Sequence, residues 1–80
     1  MNDENAVMST ADRLIYMANQ IARNVAVMGQ DEAAAMVEDH IRSFWDPMMR
    51  RQIVALAAER PDALSPIAAA AVGRIAVHCR

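Results

Sequence analysis

Three helix-starting signals constrain the fold of this chain most strongly, because each marks a place where a helix can begin. Ser9–Asp12 has the pattern of a capping box, in which the serine accepts a backbone N–H and the acid three residues later reaches back. Asp46-Pro47 and Ser65-Pro66 each combine an N-cap side chain with a proline, which is well tolerated at the first helical position. Between these signals, apolar residues recur at the spacing of one helical face. The sequence therefore predicts an all-α fold.

The same signals, together with the residues that end helices, predict four short helices. Gly29 stands where a left-handed C-terminal cap would end the first helix, and Asp31 can cap the second. The second helix should end near Trp45, and the third should run over residues 47–59. The fourth should begin after Ser65.

Each predicted helix has one apolar face that we expect to point into a shared core. The predicted inward residues are Leu14, Met17, Ala18, Ile21, Val25 and Met28 in the first helix, Ala33, Met36, Val37, His40, Ile41 and Phe44 in the second, Met49, Ile53, Leu56 and Ala57 in the third, and Ile67, Ala71, Val72 and Ile75 in the fourth. Residues 9–80 are therefore predicted to form one small helical bundle. Residues 1–8 have no core pattern and are expected to be disordered.

The length of the chain, 80 residues, allows only one small core. Such a core rarely supplies more than roughly 3–5 kcal/mol of net stability, so we expect the bundle to dock on a larger partner. The net charge is −2, all 8 basic residues are arginine, and only Arg50 and Arg51 are adjacent. Without a concentrated basic face that displaces counterions from phosphates, the chain is not expected to bind nucleic acid.

The composition also indicates where the protein works. The first residues, MNDEN, are acidic where a secretory signal needs positive charge followed by an apolar run. The longest apolar runs, IVALAA and IAAAAV, are far shorter than the roughly 18 residues that suggest a membrane span. The single cysteine, Cys79, excludes an internal disulfide and paired-cysteine metal sites. We therefore expect a soluble, cytoplasmic protein that does not contact a membrane.

Residues that could carry catalysis or bind a metal are few and scattered. A hydrolytic or acid–base site needs a nucleophile or base held by a second polar group, and the candidates are His40, His78 and Cys79 with isolated carboxylates. His40 lies on the apolar side of its helix, as a core histidine does, and the other two belong to a terminal tail. We predict no catalytic, cofactor-binding or metal-binding residue, and no enzymatic activity of the chain by itself.

The segment HIRSFWDPMMRRQI, residues 40–53, places the only Phe and the only Trp side by side at a predicted joint between helices. Phe44 continues the inward face, so Trp45, one position around the helix, should point away from it. A tryptophan flanked by arginines has the composition of an interface hot spot, although a lid over the end of the core would explain it equally. Met48 and Met49 cannot point the same way, so at least one should be exposed or contact a partner. The predicted partner interface comprises His40, Arg42, Phe44, Trp45, Pro47, Met48, Arg50 and Arg51.

Two other classes of function remain open on the residues alone. A helix-turn-helix regulator would use the third helix for recognition, with Arg50 and Arg51 near its start, but few other polar side chains there could read base edges. A free-standing helical homodimer would bury the same joint against a second copy.

Three motifs carry a resemblance to a known family. They are MANQIA at 17–22, HIxxFWDPxMR at 40–50, and LSPI at 64–67 followed by AV at 71–72. With these motifs at this spacing, the chain resembles the small delta subunit of soluble, NAD-dependent formate dehydrogenases that contain molybdenum or tungsten. One departure is visible, since the family commonly has an arginine where this chain has Met48.

The resemblance implies a non-catalytic accessory subunit of a large complex. In such complexes the alpha subunit carries the bis-molybdopterin guanine dinucleotide metal centre and most iron–sulfur clusters, while the beta and gamma subunits carry FMN, the NAD site and further clusters. The delta subunit resembles an assembly or stability factor docked on the alpha subunit. The reaction, formate plus NAD⁺ to CO₂ plus NADH, would belong to the complex and not to this chain.

Overall fold

The computed structural model describes residues 9–78, so the predicted disordered segment 1–8 and Cys79 lie outside it. The described residues contain no strand, and the predicted all-α bundle is confirmed. The helices are α1 (Thr10–Val25), α2 (Gln30–Phe44), α3 (Pro47–Glu59) and α4 (Pro66–His78), with short 3₁₀ turns at Ala26–Met28 and Pro61–Ala63.

The three helix-starting signals are confirmed by hydrogen bonds at the helix N-termini. A side-chain oxygen of Ser9, Asp46 or Ser65 accepts a hydrogen bond from the backbone N–H three residues later, at 3.1, 2.8 and 3.3 Å respectively. Each bond satisfies an N–H that helix geometry leaves without an intrahelical partner, which stabilises the helix by about 1 kcal/mol. The starts of α1, α3 and α4 are therefore set by local chemistry.

The connection between α1 and α2 differs from the prediction. The end of α1 tightens into the 3₁₀ turn Ala26–Met28, and Gly29 follows with φ 93° and ψ 154°. This positive φ favours glycine, but the extended ψ is not that of a left-handed helix cap. The Gly29 carbonyl accepts from the Ala33 amide at 2.8 Å, so Gly29 itself is the N-cap of α2. Asp31 is therefore not the N-cap, and it lies instead in the first turn, where the helix dipole favours its charge.

The core lies between the four helices, and α2 packs most extensively against α4. Both helices bury alanines, whose short side chains permit close approach. Half-buried residues such as Met17 and Met49 pack around this core. The predicted inward residues that are buried are Leu14, Ala18, Ala33, Val37, Ile41, Ile53, Leu56, Ala71, Val72 and Ile75.

Two methionines predicted to face the core are exposed instead. Met28 lies in the 3₁₀ turn after α1, where the spacing of the α-helical face no longer applies. Met36 precedes the buried Val37 by one position and so lies about 100° around the α2 axis from it, at the flank of the inward face. For both residues the prediction of core filling is wrong.

An ion pair joins the first turn of α1 to the end of α3. The Arg60 guanidinium donates to the Asp12 carboxylate at 3.1 Å. This bond, followed by the bond with the Ser9 side chain, lowers the pKa of the Asp12 carboxyl below its ordinary value. Because folding lowers this pKa, the resulting stability is present above the pKa of an unfolded aspartate, about 3.9. It is lost as the pH falls through the folded-state pKa.

The replacement Asp12→Asn is expected to lower the Tm slightly at neutral pH, since exposed ion pairs contribute little to stability. The difference between the variant and the wild type should shrink as the pH falls from about 4 through the lower folded-state pKa of Asp12, because below that pKa Asp12 is protonated in both the folded and the unfolded state. Melting curves of both proteins at neutral and acidic pH test this expectation. A difference in Tm that stays constant across this range would contradict a charge effect.

Candidate functional site

The joint between α2 and α3 consists of only two residues, Trp45 and Asp46. Trp45 has an extended backbone, with φ −90° and ψ 141°, and its amide donates to the Ile41 carbonyl at 2.9 Å. Asp46 caps α3, and Pro47 occupies the first position of that helix. The connection is therefore short and is held by hydrogen bonds to both helix ends.

The exposure of the two aromatic side chains at the joint is the reverse of the prediction. Trp45 is 4% exposed and belongs to the core, whereas Phe44 is 75% exposed. Helical geometry relates neighbouring side chains by about 100° only while both residues are helical. The extended backbone at Trp45 ends that relation, so the indole covers the end of the core. The prediction that Phe44 points inward and Trp45 away from the core is wrong, and Trp45 has the position of a lid.

Arg50 is half-buried, and it stabilises the joint through a hydrogen bond within the chain. Its guanidinium donates a hydrogen bond to the carbonyl of Trp45, directly after the last residue of α2. Carbonyls at a helix C-terminus lack intrahelical partners and carry partial negative charge, so a bound cation stabilises this end. Arg50 therefore helps to hold Trp45 in place.

Four of the exposed residues at the joint, Phe44, Pro47, Met48 and Arg51, form with the half-buried His40 what we call the joint surface. The His40 and Phe44 rings are in contact, with centroids 4.8 Å apart and an angle of 42° between their planes. Met48 is 68% exposed. The joint surface therefore combines an exposed aromatic ring and a thioether with one exposed arginine, on a backbone fixed by two helix ends.

Arg42 does not belong to the joint surface, although it was predicted as part of the same interface. It lies two residues before Phe44, which places the two side chains roughly 160° apart around the α2 axis. Arg42 donates to Glu38 at 3.0 Å, and Glu38 lies 3.8 Å from Arg74 of α4. Arg42 therefore points toward the α4 side of the bundle.

A second exposed apolar surface lies along α4, and we call it the α4 surface. Ala69, Gly73 and Val77 follow one another at four-residue spacing on its exposed side. The only charged residue over 66–77 is Arg74, which contacts a glutamate of α2. The α4 surface is thus uncharged, but it lacks an aromatic side chain.

Chemical groups that could hold a metal do not converge in the described part of the chain. Between residues 9 and 78, no three His, Cys, Asp or Glu side chains form a cluster with metal-binding geometry. None of the helices described over the same residues is both long and apolar enough to cross a membrane.

The comparison with protein families decides what kind of chain this is. Residues 13–72 match the model of the NADH-dependent formate dehydrogenase delta subunit, FdsD. The chain belongs to this delta-subunit family. The resemblance inferred from the motifs is confirmed, and the matched range includes the whole joint surface. No curated protein and no solved structure matches the chain.

Two of the motifs typical of the delta subunit meet in space through Asn19, a residue that the sequence analysis did not single out. Its side-chain amide donates to the Ala63 carbonyl at 2.9 Å, and its side-chain oxygen accepts from the Ser65 amide at 2.9 Å. Asn19 thereby ties α1 to the connection between α3 and α4. The sequence feature that could have indicated this role is the position of Asn19, a polar residue between Ala18 and Ala22, both of which are buried.

Proposed function

We propose that this delta subunit is a non-catalytic accessory subunit that docks on the alpha subunit of a cytoplasmic formate dehydrogenase and supports its assembly or stability. The observation that carries the proposal is that Phe44 and Met48 are both largely exposed, one on each side of a joint held by hydrogen bonds to both helix ends. Membership of the delta-subunit family supports the existence of further subunits for such a surface to bind. The interface proposed here is the joint surface, without Trp45, Arg42 and Arg50.

The exposed apolar side chains of the joint surface are of the kind that anchors an interface. Burying a phenylalanine side chain fully is worth about 1.5–3 kcal/mol, and aromatic side chains are enriched at the centres of interfaces. A standard interface covers about 800 Å² on each partner. That is about one-sixth of the 4998 Å² of accessible surface of this chain. Docking on a large subunit would therefore use one side of the bundle, with Phe44 near the centre.

Arg51 would lie at the rim of this interface. It is exposed in the third helix, three residues after Met48. Charged residues at an interface rim mainly guide encounter and orientation, and they contribute little to affinity. We therefore assign the main anchoring role to the apolar side chains and an orienting role to Arg51.

The redox cofactors of the proposed complex would lie on the other subunits. A molybdenum or tungsten bis-molybdopterin guanine dinucleotide centre and most iron–sulfur clusters would be held by the alpha subunit, and FMN, the NAD site and further clusters by the beta and gamma subunits. Residues 9–78 contain no cluster of donor side chains that fits a metal site, so we assign this chain no step of the reaction. Oxidation of formate to CO₂ with reduction of NAD⁺ would belong to the complex.

Replacing Phe44 with aspartate tests the proposal, because it puts a charge where the partner would bury an apolar ring. We expect at least a tenfold loss of affinity for the alpha subunit, about 1.4 kcal/mol, measured by co-purification and titration of the tagged variant. Val27→Asp is a matched control, since Val27 is 94% exposed and lies near the opposite end of α2. It should bind like the wild type.

The melting curves of both variants should lie close to that of the wild type, because neither side chain is buried. Phe44→Asp should melt slightly lower, since it adds a negative charge at the C-terminus of α2. Unchanged binding of Phe44→Asp would contradict docking through the joint surface. Loss of binding in Val77→Asp alone would assign docking to the α4 surface instead.

The two alternative functions give different results in simple measurements. A free-standing homodimer would show twice the monomer mass for the chain expressed alone and would not retain the alpha subunit. For a helix-turn-helix regulator, α3 would have to offer both arginines to DNA, but Arg50 is occupied by the Trp45 carbonyl. This hydrogen bond favours the accessory subunit over the regulator.

A further inference from the structure

Met48 is the most exposed methionine among the residues that the structure describes. It is 68% exposed, compared with 47% for Met36 and 41% for Met28. Met17 and Met49 are half-buried and pack against the core. A side chain this exposed is accessible to reagents in solution, and Met48 lies on the joint surface, four residues after Phe44.

We propose that Met48 is a redox-sensitive modification site, at which a peroxide converts the thioether to a sulfoxide and thereby weakens docking on the alpha subunit. The inference rests on the proposed function, because it concerns the same surface. Oxidation would act on the unassembled subunit, in which Met48 is exposed. Docking would cover the sulfur and protect it.

The chemistry requires no catalytic group from the protein. The thioether sulfur attacks one oxygen of hydrogen peroxide, the O–O bond breaks, and an S–O bond forms. The sulfur loses two electrons, the transferred oxygen becomes the sulfoxide oxygen, and the second oxygen leaves as water with both protons. Methionine sulfoxide can be reduced again by methionine sulfoxide reductases, so the modification is reversible.

The sulfoxide would affect docking much more than folding. It replaces a flexible apolar group by a polar one that accepts hydrogen bonds. On the free chain, Met48 is exposed and its sulfoxide would be hydrated. In the interface it would be buried, together with Phe44, against an apolar partner surface, where a polar group without a hydrogen-bond partner is unfavourable. Oxidation of the half-buried Met49, by contrast, would disturb the chain's own packing.

The experiment compares the full chain with Met48→Leu, which keeps an apolar side chain of similar size but cannot be oxidised. Both proteins are treated with dilute hydrogen peroxide, the oxidised positions are mapped by peptide mass spectrometry, and affinity for the alpha subunit is measured by titration. We expect oxidised wild type to lose at least tenfold in affinity with an unchanged melting curve. Treated Met48→Leu should bind as before treatment, and a methionine sulfoxide reductase should restore the wild type.

Three results would overturn the inference, and they can be told apart. Wild type with oxidised Met48 that binds as tightly as before would exclude a role for the modification. An equal loss in treated Met48→Leu would assign the effect to another oxidised residue, either a different methionine or Cys79. Absence of binding by the untreated wild type would refute the proposed function itself, and the inference with it.

Discussion

Replacing Trp45 with alanine is expected to lower the free energy of unfolding by about 3–5 kcal/mol, the usual loss when a buried aromatic side chain is removed. The indole is 4% exposed and covers the end of the core between α2 and α3. Its removal would leave a cavity at the point where the chain changes direction. Because a core of this size rarely supplies more than roughly 3–5 kcal/mol in total, the variant should be largely unfolded at 25 °C.

Circular dichroism of the isolated chain tests this prediction through the helical signal and its thermal and urea transitions. Phe44→Ala is the matched control, because it truncates the neighbouring aromatic residue, which is 75% exposed. It should change the free energy of unfolding by at most about 0.5 kcal/mol. A Trp45→Ala variant that melts like the wild type but no longer retains the alpha subunit would show that Trp45 is an interface anchor and not a lid.

Replacing Asn19 with alanine is expected to lower the free energy of unfolding by about 2–4 kcal/mol, because two backbone groups lose their partner at once. The Ala63 carbonyl and the Ser65 amide both bond the Asn19 side chain, at 2.9 Å each, in a part-buried environment. The alanine methyl group can replace neither bond. We expect the connection between α3 and α4 to detach from α1, with loss of packing around the start of α4.

Fluorescence of Trp45 reports on this variant, since the chain contains a single tryptophan and it is buried. Emission should move to longer wavelength at a lower urea concentration in Asn19→Ala than in the wild type. Asn24→Ala is the control, because Asn24 lies in the same helix but is exposed. Equal urea midpoints for the two variants would contradict the role assigned to Asn19.

Features that depend on a few neighbouring residues could be predicted from the sequence. The N-caps at Ser9, Asp46 and Ser65 connect groups only three residues apart, and all three are present. The apolar spacing within α3 and α4 places Ile53, Leu56 and Ile75 in the core, as expected. Regular helical geometry relates these side chains by rotation alone, so the pattern and the structure agree.

The residues predicted to form one interface at the joint lie in different environments in the structure, and the spacing of residues in the sequence does not distinguish these environments. Phe44 and Met48 are exposed, Trp45 is buried, Arg50 holds the Trp45 carbonyl, and Arg42 points to another side of α2. The prediction extends the helical rotation of α2 to the side chain of Trp45. The backbone leaves helical geometry at Trp45, so a rotation of 100° per residue describes neither the direction of its indole nor how side chains of α2 are placed relative to those of α3.

The sequence by itself determined the all-α class, the starts of α1, α3 and α4, most of the core and the delta-subunit family. Caps and helical faces are set within a few residues, and the family motifs are read directly from the chain. Only the tertiary structure decided that Trp45 is buried and that Asn19 holds the connection before α4. The bonds of Asn19 join groups 44 and 46 residues apart. Such contacts arise only when the helices pack, because packing brings together groups that no local spacing relates.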